Sequence, residues 1–374
     1  MAKTATILHR LIRAAVITLL IVITASVVYS LVLRSTHANT DPETINMTLK
    51  EIADKKLHHN SKSFINPFNS QYYGDLWPII KWKLFTPNRF RKFYRDEPTT
   101  PVKIDWQTIR DHDGLSLTFI THAGIMIKDG DKYILVDPVF FGLAWPIRNF
   151  TPLNFEPGDM PDPDYILITH GHYDHLDKKT LKLFAKDAIY ITPLGYKPVL
   201  DSIDVRSQKE LDWFDIHDAG QRQITLLPCN HWSMRNPFVG PNKSLWGSYL
   251  IETSSGAIIF VSGDLGYFDH FSEIGELYDI DLAIFNLGAY EPRWFMQNSH
   301  INPAETVRAF GELNAKQLMV VHWGTFRLGD EPVHFPPIDI RREMQAAGLS
   351  NSLINIKHGQ TVYWDTENGF DSRR

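Results

Sequence analysis

The 374-residue chain is 43% hydrophobic and 22% charged, the balance of a globular protein able to bury a sizeable core. Its formal net charge of -5 offers no general attraction to polyanions, so nucleic acid is not an expected partner. A single cysteine, Cys229, excludes an intramolecular disulfide and any Cys-rich zinc module.

Residues 14–33 carry no charge and are bracketed by Arg13 and Arg34. As a helix rising 1.5 Å per residue the run spans roughly 30 Å, the thickness of the bilayer hydrocarbon, which predicts one transmembrane helix. Lys3, Arg10 and Arg13 precede it, whereas Asp41 and Glu43 soon follow. By the positive-inside rule the N-terminus then stays in the cytoplasm and the main domain lies on the extracytoplasmic side, periplasmic or extracellular. A cleaved signal peptide is the competing reading, but the apolar run continues through Val27, Val28 and Leu31, past the usual ~7 to 15 residues. The chain is expected to divide into a cytoplasmic stub and anchor (1–34), a polar linker (35–70) and a main domain (71–374).

Residues 77–95 read WPIIKWKLFTPNRFRKFYR, in which Lys and Arg interleave with Trp77, Trp82, Phe85, Phe90, Phe93 and Tyr94. Such a mixture suits a membrane interface, where cations meet lipid phosphates and rings sit at headgroup level. The plainer alternative packs the rings on the domain and leaves the cations as its solvated face. From Leu115 onward, short apolar runs bounded by Gly, Pro, Asn and Asp alternate with helix-like stretches, an α/β layout. Strands are predicted over 117–120, 125–127, 133–136, 165–169, 188–192, 224–228, 248–252, 257–262, 282–287 and 318–321. Helices are predicted over 178–185, 303–313 and 339–347.

Several of these strands run directly into a His or Asp: YILITH ends at His170, LLPCNH at His231, AIIFVSGD at Asp264 and LMVVH at His322. Loops at strand ends form one edge of a layered α/β fold, so residues far apart in sequence can converge there. The densest piece is HGHYDHLD, with His170, His172, Asp174 and His175 after a buried-looking strand. Residues two apart on an extended tail point the same way, so His170 and His172 can clasp one metal while Asp174 and His175 on the following turn face a second. His231, Asp264 and His322 can complete the ligands, in an N/O set that suits a divalent ion such as zinc.

HGHYDHLD with a downstream His, a GD at a strand end and a further His resembles the metallo-β-lactamase superfamily, an αββα sandwich with its metals at one edge. GAYEPRWFM at 288–296, VHWGTF at 321–326, the His231–Trp232 pair, WGS at 246–248, KHG at 357–359 and FINPF at 64–68 are similar to N-acyl-phosphatidylethanolamine-hydrolysing phospholipase D. The resemblance implies two zinc ions, one held by His170, His172 and His231, the other by Asp174, His175 and His322, with Asp264 bridging. It also implies that His300 lies near a substrate phosphate, so Asp174, Asp264 and His300 are the candidate catalytic residues. His122 is expected to make a structural hydrogen bond rather than to ligate, and Asp137 is either a turn residue or a partner that orients a ligating imidazole. Leu265 stands where that family usually has Thr after the aspartate.

The expected chemistry is attack of a metal-bridging hydroxide on a membrane phospholipid, giving phosphatidic acid and an N-acylethanolamine from N-acyl-phosphatidylethanolamine. Lipid and bilayer are thus the expected partners. Another hydrolase of the same scaffold (a lactonase or other phosphodiesterase) and a non-catalytic metal-binding membrane protein are the rival readings. Cys229 does not occupy the position of Asp264, where β-lactam-hydrolysing relatives commonly place Cys.

Overall fold

In the first strands Leu115, Leu117 and Phe119 alternate with residues of the opposite face, as do Ile125 and Ile127 with Met126, and Tyr165 and Leu167 with Ile166. Both faces are apolar, so both must be covered. The computed structural model describes residues 46–69, 76–96, 100–236 and 238–371, and covers them with a second sheet on one side and helices on the other.

The first sheet places β1 (Leu115–Thr121), β2 (Gly124–Asp129), β3 (Lys132–Val136), β4 (Tyr165–Leu167), β5 (Ile189–Pro193) and β6 (Ser207–Leu211) side by side. The second follows with β7 (Ile216–Asp218), β8 (Gln223–Leu227), β9 (Ser248–Glu252), β10 (Ile258–Val261), β11 (Leu282–Asn286), β12 (Gln317–Val321) and β13 (Leu353–Ile354). The hairpin of β14 (Thr361–Asp365) and β15 (Gly369–Asp371) returns to the first sheet beside β1. Each sheet has an antiparallel half and a parallel half, β3 to β6 in one and β10 to β13 in the other. Leu117, Phe119, Ile125, Leu226, Leu250 and Phe260 belong to the apolar core that joins the sheets.

Nine helices are described: α1 (Leu49–Asp54), α2 (Leu76–Phe85), α3 (Trp106–Asp111), α4 (Lys178–Leu183), α5 (Lys197–Asp201), α6 (Phe271–Leu277), α7 (Arg293–Met296), α8 (Pro303–Glu312) and α9 (Pro336–Ala346). Trp106, Ile109, Leu181 and Leu200 bring α3, α4 and α5 onto the Met126–Ile166 face of the first sheet. Phe271, Ile274, Phe310, Ile340 and Met344 do the same for α6, α8 and α9 against the second. Local chemistry sets the starts: Asn302 and Glu305 form a capping box at α8, with Pro303 at its first turn.

The ten strands read from the sequence are present within a few residues of their predicted ends, as are the helices at α4, α8 and α9. The predicted linker differs at its middle: α1 lies there, capped by Thr48 and Glu51, with Leu49 and Ile52 fully buried. The expected membrane-spanning helix over 14–33 lies outside the described residues. Among the described residues, no helix is long and apolar enough to cross a membrane. In the segment 77–95, Trp82 is buried against Trp294, Phe295 and Asp330, whereas Leu84 and Phe85 are 71% and 69% exposed. Trp82 thus takes the packed place of the plainer reading.

Candidate metal centre

The parallel strands end along one edge of the sandwich, and the polar residues that follow them meet there. β3 leads into Asp137, β4 into His170, β8 into His231, β10 into Asp264, and β12 directly into His322. His122, Asp137, Ala289 and His322 all adopt positive φ, at 50°, 42°, 54° and 70°. Four non-glycine residues in the left-handed region around one site, each costing on the order of 1–3 kcal/mol, mark backbone held in place by its surroundings. Gly288 admits no side chain, because a Cβ there would run into the His322 carbonyl.

Two clusters of ligand-type atoms result. In the first, His170 Nε2 lies 2.8 Å and His231 Nε2 3.4 Å from His172 Nδ1, and Asp264 Oδ2 lies 3.8 Å from His170 Nε2. In the second, Asp174 Oδ2 is 3.6 Å from His175 Nε2 and 3.4 Å from His322 Nε2. Asp264 reaches this cluster also, with Oδ2 3.2 Å from His175 Nε2 and Oδ1 3.2 Å from His322 Nε2. All seven residues expected as ligands are therefore brought together, with Asp264 between the two groups.

The atoms around these clusters fit a metal. His175 Nε2 and His322 Nε2, both on the cluster side, are buried without a hydrogen-bond partner, which in a dry interior is costly unless a cation or water satisfies them. The ion pairs that Asp174 and Asp264 make among the described residues are with imidazoles, with no lysine or arginine. The far nitrogens of His170, His175 and His231 are tied down so that the near ones face the site. His175 Nδ1 donates to Asp137 Oδ2 at 2.7 Å, His231 Nδ1 to the Ser299 carbonyl at 3.0 Å, and His170 Nδ1 to Thr169 Oγ1 at 3.0 Å. Thr169 in turn donates its hydroxyl to Asp137 Oδ2 at 2.5 Å, and Asn286 Nδ2 donates to Asp264 Oδ1 at 2.9 Å. Such outer partners fix tautomer and ring orientation.

The charge states also suit ligation. Burial pushes His172 down to about 4, and burial with neighbouring imidazoles holds His170 and His231 well below the usual range, so all three are neutral donors. Burial opposes ionisation of Asp174 and Asp264, but the facing imidazoles outweigh it and hold both carboxyls well below their ordinary values. His175 and His322, also buried, are raised instead by those carboxylates, His322 to about 9. A metal entering the second cluster would displace protons from them.

His122 Nε2–H donates to Asp174 Oδ2 at 3.1 Å, and its carbonyl accepts the His322 N–H at 2.7 Å, so it braces both. Asp137 sits at a positive-φ turn and orients His175, both of the roles open to it from sequence. His300, half-buried, has its ring 5.8 Å from His231 and 5.9 Å from His322, with Nδ1 3.8 Å from Asp264 Oδ2. Burial lowers it to about 4. Leu265 points into the core, and Asn286 supplies the polar contact to Asp264 instead. Sequence reasoning missed Asn286, Thr169 and Ser299. Asn286 had a signal, a polar residue closing the apolar run LAIFN, whereas Ser299 acts through its carbonyl and leaves none.

A family profile described as the beta-lactamase superfamily domain matches residues 132–323, the stretch from β3 to just past His322. The chain belongs to the metallo-β-lactamase superfamily and is a metal-dependent hydrolase. Within it, the chain is of the N-acyl-phosphatidylethanolamine-hydrolysing phospholipase D-like kind. It is 29% identical over 336 residues to N-acyl-phosphatidylethanolamine-hydrolyzing phospholipase D 1 of Caenorhabditis elegans, covering 83% of this chain and 93% of that one. It is 34% identical over 245 residues to the mitochondrial enzyme of that name from Saccharomyces cerevisiae, covering 62% and 52%. A metallo hydrolase from Ignicoccus hospitalis shares the fold at TM-score 0.53 and 18% identity, over 67% of this chain and 98% of that one.

Proposed function

We propose that this hydrolase cleaves a phosphodiester of a membrane phospholipid, of the N-acyl-phosphatidylethanolamine type, to phosphatidic acid and an N-acylethanolamine. The observation that carries the reading is a ligand set for two metals bordered by exposed aromatics and cations. Trp145 is 93% and Phe238 97% exposed, and both belong to loops that reach the site. Phe150, in the loop of Trp145, donates its N–H to Thr325, and the adjoining Phe326 ring lies 4.9 Å from His122. In the loop of Phe238, Trp232 lies 4.6 Å from the His172 ring. A third border is formed by the half-exposed Trp294 and Phe295, two turns of chain before His300. Arg148, Arg235 and Arg327 stand over Phe150, Tyr173 and Tyr94. Exposed Trp145, Tyr173 and Phe238, on loops that also carry Arg148 and Arg235, match an interface of acyl chains and phosphates.

His170, His172 and His231 would hold one zinc ion and Asp174, His175 and His322 the other, with Asp264 shared. When bound, the ions supply Lewis acidity and a water nucleophile activated near neutral pH. The chain's own residues do the rest. Asp137, Thr169, Ser299 and Asn286 hold the ligands in one geometry, which leaves little to reorganise as charge develops. Neutral His300 is placed to donate an N–H to a nonbridging phosphate oxygen or the leaving oxygen. The names of the worm and yeast relatives support the lipid class.

The apolar run over 14–33 supports a single-pass anchor with the domain on the extracytoplasmic side, which would hold the site beside a substrate that never leaves the bilayer. Zinc-loaded full-length protein is to be incubated with vesicles containing N-acyl-phosphatidylethanolamine. Release of phosphatidic acid is expected, and its absence would sink the lipid assignment. Protease added outside intact cells should reach the domain, and full protection would contradict the topology.

A further inference from the structure

Residues 46–69 form a strap along the domain that the chemistry above does not use. At its start α1 enters the core, and the Leu49 N–H donates to Glu273 Oε1 at 2.8 Å. Lys56, His58 and His59 then converge on Asp212, at 2.7, 2.6 and 2.8 Å. Further on, the Phe64 N–H donates to the Asn242 carbonyl at 2.7 Å. The strap closes at Asn66, a buried side chain whose amide donates to Asn230 Oδ1 at 2.9 Å and to the main-chain carbonyl of His231 at 2.9 Å. Its Oδ1 accepts the Phe68 N–H at 3.0 Å.

This amide has one workable orientation. A peptide carbonyl only accepts and a peptide N–H only donates, so turning the amide over would lose both main-chain bonds. Asn230 passes the connection on: its carbonyl accepts the Gly266 N–H at 2.9 Å and its Nδ2 donates to the Tyr267 carbonyl at 3.1 Å. One buried side chain thus touches the loop of His231 directly and the loop of Asp264 through a single neighbour. On its other side the His231 ring is held by the Ser299 carbonyl, and the His231 N–H donates to the Cys229 carbonyl at 3.1 Å, so Asn66 holds the one main-chain group of His231 that no nearby residue holds.

We infer that Asn66 is a positioning residue of the first metal cluster, fixing the peptide from which the His231 imidazole projects and bracing the Asp264 loop through Asn230. The inference rests on the proposed reading of His231 and Asp264 as ligands. It makes the segment leading in from the N-terminus part of the metal centre rather than a passive linker.

The test is zinc affinity of the full chain by chelator competition, for Asn66→Ala, Asn66→Ser, Lys56→Ala and His231→Ala. Partners outside the ligand sphere commonly change metal affinity about 10- to 100-fold, and a contact through the main chain belongs at the lower end. Asn66→Ala should weaken the zinc affinity of the His231 cluster about tenfold and that of the other cluster, which it reaches only through the Asp264 loop, by less. Asn66→Ser keeps one donor and should fall between it and wild type, giving a folded member of the series if the alanine variant does not fold. Lys56→Ala loosens the strap at Asp212 without touching His231 and should keep both affinities. Wild-type affinities in the Asn66 variants, with one ion lost in His231→Ala, would overturn the inference. So would an equal loss in Lys56→Ala, which would assign the effect to strap docking as a whole. Two ions retained in His231→Ala would overturn the ligand reading and the inference with it.

Discussion

Two clusters in this protein use the same side chains to opposite ends. At the sheet edge, seven imidazoles counting His122 and His300 surround Asp174 and Asp264, and the Nε2 atoms of His175 and His322 that face these carboxylates make no hydrogen bond. On the strap, His58 and His59 meet Asp212 at similar distances, and those three atoms too lie close enough to share an ion. There, however, the Lys56 ammonium already sits 2.7 Å from Asp212 Oδ2, and each His Nε2 is hydrogen-bonded to the carboxylate. The negative charge is answered by the protein itself. Residue type therefore does not make a metal centre; unanswered donors in a buried place do.

The largest test of that contrast is removal of a ligand. His172→Ala should lose bound metal and reduce hydrolysis on the order of a thousandfold or more, read by metal analysis and turnover. Full activity in that variant would break the comparison at its stronger side. Next is Asp137→Ala, which frees His175 Nδ1 and should weaken metal binding about 10- to 100-fold in a chelator titration, with little change in the outline of the fold.

Asp212→Asn addresses the strap. It should leave metal content unchanged but cost about 2 kcal/mol in denaturant unfolding, since charge-assisted hydrogen bonds to Lys56, His58 and His59 are weakened. The pH dependence has a definite sign. Burial opposes ionisation of Asp212, yet hydrogen bonds from His58 and Lys56 hold its carboxyl well below the ordinary range. A depressed carboxyl contributes stability above its unfolded value, near 4, and loses it as the pH falls toward the folded value. The gap in stability between wild type and Asp212→Asn should accordingly be constant at neutral pH and shrink in acid. A gap that widens in acid would contradict the latch.

The smallest expected effect is at the rim. Trp145→Ala with Phe238→Ala should weaken sedimentation with phospholipid vesicles several-fold for protein lacking the apolar N-terminal run, with hydrolysis of a short-chain soluble phosphodiester nearly unchanged. Loss on the soluble substrate instead would place these rings in the site itself.

The centre was legible in sequence where its ligands are contiguous or end apolar strands. His170, His172, Asp174 and His175 share one turn, and His231, Asp264 and His322 each follow a buried run. Asn66 was not legible, because it acts on a carbonyl across the fold and sits in polar chain. β6 and β7 escaped because SQKEL and IHD are edge strands with polar or exposed faces and little alternation. α1 escaped through brevity, although Thr48 and Glu51 carried the capping-box spacing.

Metal stoichiometry measured on wild type, His231→Ala, His322→Ala and Asp212→Asn tests the central claim most directly. Two ions per chain are predicted for wild type and Asp212→Asn, with at least one lost in each histidine variant. Two ions retained in both histidine variants, or an ion lost with Asp212, would contradict it.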